Sequence, residues 1–148
     1  MADTLAFASL AHLTRKYYAR LRELLEAVPE ESLAARAGDE GLTVEEVVRH
    51  VCRADAWYRS LTGATPPPEP ETVAGKPALM ASLATAEQEM LRFLEGLPPQ
   101  RLSEEWEVPV WWGEDRDQPI LVILVHSLAH KYYHCGQLQS ILHLLNAL

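Results

Sequence analysis

Proline and glycine cut this sequence into four stretches in which apolar residues recur every three to four positions, a period that fits amphipathic helices and not strands. The first stretch, Thr4 to Val28, aligns Leu10, Leu13, Tyr17, Leu21, Leu24 and Val28 in one stripe and ends at Pro29. The second opens at Thr43, whose hydroxyl can cap the helix while Glu46 reaches back; Val44, Val47, Val51, Ala54 and Tyr58 then line its inner side. The third follows Pro77, carries Leu79, Leu83, Ala86, Met90, Leu94 and Leu97, and stops at Gly96 and Pro98-Pro99. The fourth begins after Pro119 and runs almost to the C-terminus. Four stripes that must share one core predict an all-α four-helix bundle, a single domain over residues 1–148.

Two connections are long. Residues 62–77 hold five prolines and two glycines, including Pro66-Pro67-Pro68, and predict a stiff extended crossing. It is not a domain boundary, because neither half of the chain can bury its stripes unaided. Between Arg101 and Pro119, Trp106, Val108, Val110, Trp111 and Trp112 fall among prolines and predict a short extended or hairpin-like flap before the last helix.

Charge narrows the functional classes. Thirteen Lys and Arg stand against 21 Asp and Glu, a formal net charge of -8, which opposes a phosphate backbone and an anionic membrane surface, so neither nucleic acid nor membrane is an expected partner. The longest strongly apolar run, Ile120 to Val125, is far short of the ~20 residues of a bilayer span, and Met1-Ala2-Asp3 opens without a basic, then apolar leader, so a cytoplasmic location is expected. Cys52 and Cys135 are the two cysteines, without a CxxC pair, and are expected as reduced thiols.

The chemistry concentrates in His126-Ser127-Leu128-Ala129-His130-Lys131-Tyr132-Tyr133-His134-Cys135-Gly136-Gln137. At about 100° per residue, spacings of four set His126, His130 and His134 within roughly 80° of arc, on the side of Ile123, Gln137, Leu138 and Ile141, so all three imidazoles are expected to face the core. Buried ring nitrogens need partners, and one shared metal ion serves several at once. His50, beside Val47 and Ala54 on the second helix, can face the last helix. With the i, i+4 pair His130 and His134 it supplies three neutral nitrogens and leaves positions open to water or substrate. A straight helix rarely offers three successive turns to one ion, so His126 is expected beside the ion and not on it. HExxH, the zinc-protease motif, and ExxH, the di-iron motif, are both absent, which leaves a mononuclear site. Around it, Asp55 either orients an imidazole or pairs with Arg59 along the helix. Tyr133 falls on the core side, Tyr132 toward a neighbouring helix or subunit, and Gly136 marks the close approach of another helix. Cys135 turns away from the histidine arc and is neither ligand nor nucleophile.

The ending His126-x3-His130-x3-His134-Cys135-Gly136-Gln137-Leu138 resembles the H-x3-H-x-G-Q close of the DinB family, the DinB/YfiT-like metalloenzymes. Val28-Pro29-Glu30 through Leu42-Thr43-Val44-Glu45-Glu46-Val47-Val48-Arg49-His50 is similar to the family's acidic loop and ligand histidine two turns into helix two. The resemblance implies an up-down-down-up bundle, commonly a homodimer, and one divalent ion, zinc or nickel, at His50, His130 and His134. Cys135 stands where a basic residue is frequent in the family. Members include thiol-dependent S-transferases and a mycothiol-dependent maleylpyruvate isomerase, and the family name refers to DNA-damage induction, not to DNA binding.

Two functional readings follow. In the first, a metal-dependent transferase uses a low-molecular-weight thiol as cosubstrate and joins it to a small electrophile, while Trp111 and Trp112 either cover the pocket against an apolar substrate body or simply close the core. Metal-activated water in a hydrolase is its nearest variant. In the second, the chain is a stress-associated metal-binding protein without turnover.

Overall fold

The computed structural model describes residues 2–64, 75–109 and 112–147, so the triple-proline crossing, Val110 and Trp111 lie outside the described residues. Helices α1 (Ala2–Ala27), α2 (Val44–Leu61), α3 (Lys76–Gly96) and α4 (Ile120–Leu144) form the four-helix architecture. The second helix starts where its capping box demands: Glu46 N–H donates to Thr43 Oγ1 at 3.1 Å and Thr43 N–H donates to Glu46 Oε2 at 2.7 Å. Pro77 occupies the first turn of α3, where its missing N–H is not needed.

Helix directions follow from which ends share a core. The end of α1 from Tyr18 to Leu25, with Val28 just beyond it, packs with the start of α2 (Val44 to Val51), the start of α3 (Leu79, Leu83) and the end of α4 (Leu138 to Leu142). At the opposite end Leu10 of α1 meets Met90 and Leu94 of α3 and Ile120, Leu124 and Leu128 of α4. Thus α1 and α4 run one way and α2 and α3 the other, the up-down-down-up bundle. Each helix packs on two neighbours: α1 and α2 both lie against α3 and α4.

The stripe of α1 needs one correction. Tyr18, not Tyr17, is fully buried, with Thr14 a turn before it; Tyr17 is half-buried at the α1–α4 groove. Apolar periodicity gives the two adjacent tyrosines nearly equal claims. The choice is made by a hydrogen-bond partner on another helix, described below.

The flap is a short hairpin. Strand β1 (Glu105–Glu107) pairs antiparallel with β2 (Asp117–Pro119), Trp106 opposite Gln118. It is pinned to the end of α2 by Trp106, which packs with Tyr58, Val108 and Ile123. Gly63 accepts that contact: its φ is +85°, and a Cβ there would lie 2.8 Å from the Trp106 ring. No helix among the described residues is long and apolar enough to cross a membrane.

Candidate metal centre

The antiparallel packing of α2 on α4 brings His50 to the same level as His130 and His134. His50 Nε2 lies 2.9 Å from His130 Nε2, and His134 Nε2 lies 3.0 Å from the same atom. All three ligand atoms fall within 4.8 Å of one another. The rings are tilted by 56° to 73°, with centroids 4.3 to 4.8 Å apart.

Hydrogen bonding cannot satisfy this cluster. His134 Nδ1–H donates to Gln137 Oε1 at 2.5 Å, which leaves a lone pair on its Nε2. His130 Nε2 must then donate to His134 and also either donate to or accept from His50, and a single ring nitrogen, with one proton or one lone pair, cannot do both. A cation accepts all three lone pairs together. Two nitrogens each about 2.1 Å from one ion at roughly a right angle are separated by about 3.0 Å, the spacing of the two pairs that share His130 Nε2, and with all three atoms within 4.8 Å a modest ring movement lets one ion reach them. The three histidines therefore fit a divalent ion and can hold one. His130 Nδ1 is buried and, among the described residues, without a hydrogen-bond partner, so the fit is less complete at that ring than at His134.

Electrostatics favour the metal-binding form. Burial pushes His50, His130 and His134 below the ordinary histidine value, with the neighbouring imidazoles and Lys131 adding to the effect at His130, which falls to about 4. All three are neutral at pH 7, with lone pairs available without proton release. The cysteines are unreactive by comparison. Burial pushes Cys52 up to about 12, assisted by Asp55, and Cys135 up to about 11, so both remain thiols.

Beyond the triad, the placements are mixed. Gln137 orients His134, and its amide nitrogen donates to Tyr133 Oη at 3.3 Å. Tyr133 itself is 62% exposed and not on the core side: a position one residue from buried His134 rotates 100° outward. His126 is exposed too, and so does not share the inward orientation of the other two. Its Nδ1 accepts from Tyr58 Oη at 2.8 Å, Tyr58 being kept protonated by burial that pushes it up to about 12. Trp112 of the flap lies over the His126 ring, centroids 4.0 Å apart, and Tyr58 spans the gap to His130 at 5.9 Å. These aromatics make a wall beside the triad; Trp111 falls outside the described residues. Gly136 is exposed, and among the described residues nothing lies within 4 Å of the place of its Cβ, so the groove it lines with α1 is open there instead of tightly packed.

Asp55 does neither of the things expected of it. Its carboxylate accepts from Tyr18 Oη at 2.5 Å, Ser127 Oγ at 2.8 Å and Lys131 Nζ at 2.5 Å, with no imidazole among these partners. Arg59 instead reaches Glu89 of α3 at 3.0 Å. Asp55 projects into the bundle interior, where a phenol from α1 and a hydroxyl and an ammonium from α4 meet it. Tyr18, Ser127 and Lys131 were not anticipated as a polar cluster. The available signal was the position of Lys131, three residues from both Leu128 and His134 on the inward arc of α4.

Comparison with solved structures gives the same architecture. A DinB-like protein of Bacillus subtilis superposes with a TM-score of 0.77 at 16% identity, over 93% of this chain and 92% of that one. A DinB-like protein of Bacillus cereus does so with a TM-score of 0.72 at 16% identity, over 88% and 86%. No curated protein matches the sequence. The family model described as the DinB family matches residues 1–146, and the chain belongs to the DinB family.

Proposed function

We propose that this protein is a divalent-metal-dependent enzyme, a thiol-dependent S-transferase acting on small electrophiles, with zinc or nickel held by His50, His130 and His134. The observation that carries the reading is the convergence of three neutral imidazole nitrogens from two helices. Three nitrogens leave coordination positions free, as a catalytic site requires and a closed structural site does not. When bound, the ion supplies the Lewis acidity that lowers the pKa of a thiol.

The chain's own residues do the rest. Gln137 fixes the proton of His134 on Nδ1, so that its Nε2 faces inward. Tyr58 holds His126 by its Nδ1 and Trp112 covers the same ring, giving an aromatic wall suited to the apolar body of an electrophile. Neither cysteine competes as a nucleophile, since both are held as thiols.

The test is a panel of low-molecular-weight thiols, with bacillithiol, mycothiol and glutathione among them, against a generic electrophile, using metal-loaded protein and His50→Ala. Metal-dependent thioether formation lost in the variant supports the reading. Turnover without metal refutes it. Hydrolysis of a small ester in place of thiol transfer favours the hydrolase variant, and tight metal binding with no turnover favours a stress-associated binding protein.

We propose that the protein is cytoplasmic and a homodimer, the dimer being the part of this reading that the outer side of α4 supports. Val122, Val125 and Tyr132 are 41%, 51% and 68% exposed along it, beside the bare Gly136. Light scattering at micromolar concentration checks this; a monomer mass refutes it.

A further inference from the structure

Asp55 and Lys131 are both fully buried, as are Tyr18 and Ser127, and the four side chains tie α1, α2 and α4 together in the middle of the bundle. The cluster is closed. Lys131 Nζ donates to Asp55 Oδ1 at 2.5 Å, Ser127 Oγ at 2.7 Å and Ser127 O at 3.3 Å, which uses all three of its protons. Asp55 takes Tyr18 on its other oxygen, and Ser127 donates to Asp55 while accepting from Lys131. Among the described residues no hydrogen bond joins this cluster to an imidazole, although Lys131 follows His130 in the chain. His130 Nδ1 has no hydrogen-bond partner among the described residues. A proton relay to the triad is therefore not what the cluster provides.

Its position gives another use. Three α2–α4 contacts follow one another down the antiparallel pair: His50 with His130, Asp55 with Ser127 and Lys131, and Tyr58 with His126. All three belong to one register. The apolar layers of the same interface, Val44, Val47 and Val51 against Leu138, Ile141 and Leu142, discriminate weakly between registers, because a slide of one turn, about 5.4 Å, sets similar side chains against one another. The same slide would strip a buried ammonium from its carboxylate, which the interior does not tolerate. Buried polar pairs are best attested in such a register-fixing role.

We propose that Asp55 and Lys131 are positioning residues for the triad: their buried pair selects the one α2–α4 register in which His50 Nε2 meets those of His130 and His134. A metal site needs its ligands held within about 0.5 Å, finer than the apolar layers alone impose. The effect on metal affinity rests on the metal reading above; the effect on ring geometry does not.

The test is the double variant Asp55→Leu/Lys131→Met of the full chain, which replaces the pair by apolar groups of similar size. It should keep its helical circular-dichroism spectrum and melt well above Lys131→Met, which strands the carboxylate, although Tyr18 and Ser127 lose their acceptor. Its cobalt(II) dissociation constant should rise at least about tenfold, with an altered d–d spectrum. In metal-free protein, the nuclear Overhauser contact between the His50 and His130 rings, whose centroids are 4.8 Å apart, should be lost or broadened. Should that variant not fold, Asp55→Asn/Lys131→Met keeps an oxygen for Tyr18 and Ser127 and is read the same way. Unchanged ring contact and unchanged cobalt affinity in either folded variant overturn the proposal. Failure of the unsubstituted protein to bind cobalt would overturn the metal reading, while the ring contact would still decide whether the pair positions the histidines.

Discussion

Replacing Gln137 with methionine keeps the side-chain length and removes the oxygen that accepts from His134 Nδ1 at 2.5 Å. Two consequences follow, on different observables. His134 is only 3% exposed, so its Nδ1–H loses a partner that water replaces poorly, and stability should fall by about 1 kcal/mol. The proton also becomes free to move to Nε2, where it blocks the atom facing His130 and must leave before a metal can bind. Loss of such an orienting partner typically costs 10–100-fold in metal affinity, roughly 1.4–2.7 kcal/mol. The assay is competition for cobalt(II) or zinc against a chromogenic chelator at pH 7.5, with urea unfolding of the metal-free protein alongside. Gln137→Glu is the control: it restores the acceptor and adds a charge, and should bind metal at least as tightly as the unsubstituted chain. If Gln137→Met binds within twofold of that chain, the imidazole is oriented by its packing alone and the reasoning fails.

The other predictions concern the ligands, the charges and the cap. His50→Ala, His130→Ala and His134→Ala should each abolish stoichiometric metal binding by elemental analysis while leaving the helical spectrum nearly intact, because four apolar stripes form the core without an ion. In metal-free protein the triad sits below the ~6.5 of an unfolded histidine, His130 at about 4, so the unfolded chain binds protons that the folded chain does not. Their contribution is therefore complete above pH ~6.5 and is lost progressively as pH falls from there toward 4, and urea midpoints that stay flat across that window would contradict it. Lys131→Met alone strands the Asp55 carboxylate and should cost about 3–5 kcal/mol in urea unfolding, far more than the double replacement. Thr43→Ala removes half of the capping box and should cost about 1 kcal/mol without altering metal affinity.

What could be read from the sequence was whatever local periodicity specifies. The α2 cap, the stripes of α2 and α3, and the spacing that puts His130 and His134 one turn apart are all relations within a single helix, and the structure places those residues accordingly. The cross-helix meeting of His50 with His130 was also accessible, since both lie at the edge of their helices' apolar arcs. His126 shows the limit. It shares the i, i+4 spacing, yet a helix with 3.6 residues per turn drifts by about 40° over each four-residue step, so His126 is turned toward Tyr58 and Trp112 instead of the triad.

Asp55 and Tyr18 failed for a different reason. Whether a polar residue at an inward position stays inside depends on what the other helices bring to it, and no single-helix pattern contains that information. Asp55 becomes fully buried only because Tyr18 on α1 and Lys131 and Ser127 on α4 arrive at the same depth. Lys131 equally needs Asp55, since a lone ammonium would be expelled to solvent. Each charge is thus evidence for the other's burial, and neither can be assigned to the core alone. The inward arc of α4 carried the decisive hint, because Leu124, Leu128, Lys131, His134, Cys135 and Leu138 form one stripe that a buried lysine interrupts. A lysine in that place requires an acid on a facing helix, and Asp55, one turn beyond Val51 on the inner side of α2, is the residue that the antiparallel register delivers.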